Sequence, residues 1–146
     1  MLTGPLSLFD NALNRLVAGS FPALQSSPMS AVLLAPSYTP NITVDSRFAD
    51  VSAYELLSAI GLRLQLTGVS VSGASFFSDD LVFGDPVTLG PVRYLVFVEG
   101  RPAAINPDSL LLAYADLAPS GGMLEAQRGR FSVAAPTPGW FQLTRV

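Results

Sequence analysis

From residue 30 onward no apolar run in the chain exceeds the length of a short strand before glycine, proline or a polar cluster interrupts it. The longest, YLVFV at 94–98 and LLLAYA at 110–115, fall far below the roughly 20 residues needed to span a bilayer. This punctuation favours many short antiparallel strands over parallel strands joined by helices. SAVLLA (30–35) reads as a buried strand stopped by Pro36. LRLQLTGVSVSG (62–73) places Leu62, Leu64 and Leu66 on one face and Arg63, Gln65 and Thr67 on the other, then alternates Val69 and Val71 with serines. That pattern predicts one half-exposed strand, bulged at Gly68. ASFFSDDLVFG, VRYLVFVEG, LLLAYADLA, GRFSVAAP and GWFQLTRV complete the set. Between them lie a long loop after residue 35, with one helical turn at 45–50 behind Asp45, and the polar loop RPAAINPDS. The expected fold is mainly β, a single antiparallel β-sandwich or barrel of about seven or eight strands over residues 30–146.

Ahead of it stands one helix. In SLFDNALNRLVAG the residues Leu8, Phe9, Ala12, Leu13, Leu16 and Val17 recur at helical spacing, predicting a helix near 8–18. Ser7 can cap its start with Asp10 three residues on, and Gly19 can end it. FPALQSSP then reads as a connector, so residues 1–29 form an arm that packs either on its own sandwich or on a neighbouring subunit. Alone, so short a helix is unstable in water.

Charge is the scarce resource. Of 146 residues 49% are hydrophobic and only 13% charged, against roughly 25% in ordinary soluble domains. All eight basic residues are arginine, and the net charge is −3. Such a surface is expected to be partly covered by other subunits, as a homo-oligomer or multi-copy assembly. The scattered arginines and negative charge argue against nucleic acid. No basic segment precedes an apolar one at the N-terminus, so no signal peptide is expected, and the Asn41-Ile42-Thr43 sequon reads as incidental.

The chain contains no His, Cys or Lys, which leaves serine without an activating base and zinc without its usual ligands. PSGGMLE (119–125) lacks the Gly-Lys-Ser/Thr ending of a phosphate loop. We therefore expect no enzyme, no cofactor and no metal. Asp79 and Asp80 are the pair that most resembles a site. On a strand they point to opposite faces, and a third acid, Asp85 or Asp50, would have to join them, so a structural bend is the expected role. Arg93, beside Tyr94, reads as part of a solvated strand face, with pairing to Glu99 or an acidic neighbour as the alternative. Trp140 and Phe141 read as core or interface, with a glycan-stacking platform that also uses Tyr38 or Tyr54 as the alternative. The candidate assembly contacts are Leu8, Phe9, Leu13, Leu16, Trp140 and Phe141.

Taken in order, several segments resemble a family of small structural proteins of tailed bacteriophages, encoded near head and neck genes. They are ALNRLVAG (12–19), AVLLAPSYTPN (31–41), DSRFADVSAYEL (45–56), FSDDLVF (77–83), VRYLVFVEG (92–100), LLLAYADL (110–117) and GRFSVAAPTPGWFQL (129–143). The likeness runs from about residue 8 to 143. It departs at SAIGLRLQL (58–66), where the family has a Gly-Thr-Gly-Tyr turn, which leaves the turn at 57–62 open. The resemblance implies a virion protein made in the host bacterial cytoplasm. Its partners would be the major capsid protein or other virion proteins, in a capsid decoration role or, alternatively, in the neck or tail. A glycan-binding adhesion module is the reading from another class.

Overall fold

The computed structural model describes residues 2–56 and 62–143. Residues 57–61, most of the turn left open above, lie outside the described residues. The chain is mainly β, with one α-helix among the described residues, α1 (Asp10–Ala18). Its strands are β1 (Leu2–Thr3), β2 (Ser7–Leu8), β3 (Met29–Leu34), β4 (Leu64–Gln65), β5 (Ser70–Ser72) and β6 (Ser75–Phe77). They continue with β7 (Leu81–Val92), β8 (Tyr94–Glu99), β9 (Leu111–Asp116), β10 (Leu124–Val133) and β11 (Phe141–Leu143). These exceed the seven or eight expected because several are only two or three residues long. The pairings are antiparallel and form an open, sandwich-like stack: a five-stranded sheet β2-β9-β8-β3-β4, a four-stranded sheet β1-β11-β6-β5, and a β10-β7 ribbon.

One long hairpin organises all three. Going outward from its tip, Val98 pairs with Leu111, Tyr94 with Asp116, Val92 with Leu124, Leu81 with Val133 and Phe76 with Phe141. Its tip half lies in the five-stranded sheet, its base in the four-stranded sheet, and the ribbon arches between. β7 runs through Asp85-Pro86 and Gly90-Pro91, beyond the end expected at Gly84. Its register with β10 shifts four times, and Arg128 takes a positive φ of 50°. Such bulges let the ribbon bend from one layer to the other.

The central sheet is covered on both sides, which explains why all six residues of β3 and five of six in β8 are buried. Phe97 faces the four-stranded sheet and meets Trp140 edge-on at 5.2 Å. Tyr94, three residues earlier and on the opposite face, meets Tyr38 of the 35–56 loop layer at 5.5 Å. Short 3-10 turns at Phe48–Asp50 and Ser52–Tyr54 shape that layer. The Asp50 carboxylate accepts from the Ser46 and Arg47 amides. Arg63 clamps the layer beside β4, pairing with Glu55 at 2.7 Å while its guanidinium lies 5.0 Å over the Phe48 ring.

Two expectations need correction. Segment 62–73 is two strands rather than one bulged strand. β4 belongs to the five-stranded sheet and β5 to the four-stranded one, and the chain turns the corner at Gly68, where φ is +60°. The Asp79 carboxylate fills the space a Cβ at Gly68 would need. The second correction concerns the arm, whose described residues 2–29 are tied into the sheets: β1 pairs with β11, β2 with β9, and Leu6, Leu8, Phe9, Ala12 and Phe21 are core. Ser7 therefore lies in β2 opposite Tyr114 and does not cap α1. The helix starts at Asp10, whose amide donates to the Ile42 carbonyl at 2.9 Å, and ends at Gly19 in the left-handed region (φ +73°) as expected.

Candidate docking surface

The six sequence candidates separate into three environments. Phe9 turns toward Tyr114, with ring centroids 5.7 Å apart. Trp140 is 2% exposed between the two sheets, and its indole N–H donates to Ser78 Oγ at 2.8 Å. Both therefore fill the chain's own core, where neither presents a surface to another subunit. The other four come together. Leu8, Leu13, Leu16 and Phe141, joined by Val17 and Leu143, line an apolar groove of about 250 Å³ between α1 and β11. Leu8 and Phe141 form its buried floor, and Leu13 and Leu16 are half-buried walls. Val17 and Leu143 are the rim, at 89% and 56% exposed.

Local sequence explains this placement. Leu13, Leu16 and Val17 form one stripe at helical spacing, while Phe9 and Ala12 occupy the neighbouring stripe that seals against the sheet. β11 pairs with β6 through Phe141 and Gln142, so Phe141 stacks on Phe76 at 5.5 Å. No lining residue is charged. Val17 was legible from its stripe. Leu143 was not, because a leucine in a terminal strand normally reads as core.

The chemistry-bearing residues are engaged elsewhere. The Asp79 amide donates to the Thr67 carbonyl at 2.8 Å, and its carboxylate accepts from the Thr67 hydroxyl at 3.0 Å. Asp80 Oδ1 accepts the Ala135 amide at 2.7 Å. The adjacent carboxylates thus fasten two different loops to one end of the ribbon. Among the described residues no three His, Cys, Asp or Glu side chains converge as metal ligands. Arg93 pairs with Asp116, at 3.1 Å, and not with Glu99.

Of the four rings named for a stacking platform, Trp140, Phe141 and Tyr38 are buried and Tyr54 is half-buried. Tyr38 donates its hydroxyl to Asp45 at 2.6 Å. Burial, then that hydrogen bond, holds the Tyr38 phenol well above its ordinary value of 10. All four tyrosines and Phe9 form one run of ring contacts, Phe9–Tyr114–Tyr94–Tyr38–Tyr54, which knits the loop layer to the central sheet. No helix of the described residues is long and apolar enough to cross a membrane. In comparisons with known proteins, no family model, curated protein or solved structure matches the chain.

Proposed function

We propose that the chain is a bacteriophage virion structural protein, a decoration or cement protein that seats on the major capsid protein through the α1–β11 groove. The observation that carries this reading is an uncharged, open apolar groove on a chain with only 13% charged residues. Apolar rim residues such as Val17 gain by leaving water, at about 25 cal/mol per Å² buried. The mechanism is mass action: a protein that binds only the assembled shell stabilises that shell by its differential affinity. The role is binding, without catalysis, cofactor or metal.

Purified particles of the encoding phage provide the test. Copies numbering in the hundreds place the protein on the shell, whereas about six or twelve place it in a neck or tail ring. Absence from particles overturns the virion reading. Val17→Glu leaves the core untouched and should reduce occupancy about tenfold or more through loss of an apolar contact. Unchanged occupancy moves the docking surface away from the groove.

A further inference from the structure

The sheet edges are guarded unequally. In the ribbon, β7 carries Pro86 and Pro91, and β10 carries Glu125, Arg128 and Arg130 with an irregular register. β2 and β4 are two residues long, beside Pro5 and Arg63 respectively, and β1 is two residues followed by Gly4-Pro5. Proline, charge, bulges and brevity are the usual means of keeping an edge from pairing. β5 has none of the first three. From Leu64 to Ser78 the chain contains no charge and no proline. All three β5 residues are exposed, and among the described residues β5 pairs only with β6.

Turn geometry shows what this edge presents. Gly73 and Ala74 have φ of 56° and 60°, the two positive values of a two-residue I′ hairpin turn. Ser72 and Ser75 close that turn as a hydrogen-bonded pair, so Val71 opposite Phe76 is a non-hydrogen-bonded pair. The amide and carbonyl of Val71 therefore point away from β6, into the open edge. The Val71 side chain, on the Phe76 face, is 43% exposed, so the inner face is incompletely covered there.

We infer that β5 pairs with β5 of a second copy of this chain, antiparallel about a two-fold axis through Val71. About this axis Ser70 of each copy meets Ser72 of the other, so one edge serves both partners and the contact closes on itself. In this register the two Val71 residues exchange both backbone hydrogen bonds. No like charges are brought together. Two four-stranded sheets become one of eight strands. Three residues a side bury well under the roughly 1,200–2,000 Å² of a stable dimer, so a weak contact is expected, with Kd on the order of 100 µM. Such a contact adds up when many copies are held side by side. The inference rests on the sheet edge alone and stands whether or not the protein belongs to a virion.

The experiment is sedimentation of the full chain from about 10 µM to about 1 mM, a range that brackets the expected Kd. Ser70→Lys with Ser72→Lys places like charges opposite each other, whereas Ser70→Lys with Ser72→Glu places opposite charges there. Both variants alter only exposed side chains. Wild type should dimerise with rising concentration, the Lys/Lys variant should weaken by about tenfold or more, and the Lys/Glu variant should dimerise like wild type. Val71→Pro, which removes the outward donor while sparing the β6 ladder, should also stay monomeric with an unchanged circular dichroism spectrum. A wild-type monomer across the range overturns the inference. So does a Lys/Lys variant that associates like wild type, or loss of association in both charged variants.

Discussion

Residues 94–99 with 111–116 and residues 81–92 with 124–133 are two halves of one hairpin, with the same chain direction and the same antiparallel pairing. The tip half has one register shift and the ribbon half has four. β8 is buried at every position but its last, while β7 alternates and opens around Asp85, Pro86 and Thr88. Neighbours account for the contrast. β8–β9 has β3 and β2 at its edges and a covering layer on each face, so any polar side chain or missing amide there would be buried unpaired. Among the described residues the ribbon has no third strand, so proline, glycine and a left-handed Arg128 cost little.

The widest break in this comparison would come from removing a neighbour. Deleting residues 1–29 takes β2 from the edge of β9 and removes Leu6, Leu8, Phe9, Phe21 and Met29 from the core. At about 1.5–3 kcal/mol for each large side chain, the loss is about 7–15 kcal/mol, comparable to a domain's whole stability. The truncated chain should show no cooperative thermal transition by circular dichroism. A cooperative melt near the wild-type Tm would mean that the buried half does not need these neighbours, and would restore residues 1–29 as a separable arm.

A smaller effect should separate the halves directly. Phe97→Ala removes a fully buried ring packed on Trp140, in a site walled by two layers that cannot collapse, and should cost about 3–5 kcal/mol. Phe131→Ala removes a ring that meets Phe83 at 6.1 Å in the ribbon, where the strands can close up, and should cost about 1–3 kcal/mol. Urea denaturation measures both. Equal costs would show the ribbon to be as tightly held as the sheet.

The same contrast governs what was legible in the sequence. Apart from Ser30, whose hydroxyl donates to the Gly100 carbonyl, SAVLLA and YLVFV are apolar because both their faces are covered, and that pattern announced strands. The continuation of β7 through DPVTLGP was hidden, since Pro86 and Pro91 are tolerated only where an edge is open. The division at Gly68 was hidden for another reason: Leu62 and Leu66 are buried, as the alternation required, but periodicity does not reveal that a strand changes sheets. Residues 1–29 read as an arm because a proline- and serine-rich connector resembles a linker even when both its ends are anchored. Of the docking surface, the Leu13, Leu16 and Val17 stripe was visible, whereas the groove itself depends on β11 lying beside α1.

The smallest expected effect lies at the seam between the halves. Arg93 stands between β7 and β8, and Asp116 ends β9 opposite Tyr94. The guanidinium donates twice to the carboxylate, at 3.2 and 3.1 Å, and lies 5.3 Å over the Tyr94 ring. The Leu117 amide reaches the Arg93 carbonyl at 2.7 Å, and the Ala118 amide donates to Asp116 Oδ1 at 3.0 Å. The pair thus holds the hairpin together where its register jumps to Val92–Leu124. The Arg93 hydrogen bond, with help from the Ala118 amide, holds Asp116 below its ordinary value of 3.8 even though burial acts in the opposite direction. A carboxyl whose folded pKa is depressed adds stability above its unfolded pKa and loses it as pH falls through the folded one. Arg93→Gln should therefore lower Tm slightly at pH 7, and the difference from wild type should shrink below about pH 3.8, the unfolded value, and vanish at more acid pH. Both groups are partly exposed, so added salt should also narrow the gap. In hydrogen exchange, the amides of 81–92 and 124–133 should lose protection in the variant while those of 94–98 hold theirs. Equal loss on both sides of the seam would mean that the halves open as one unit, and the distinction between sheet and ribbon would then be one of exposure without independent motion.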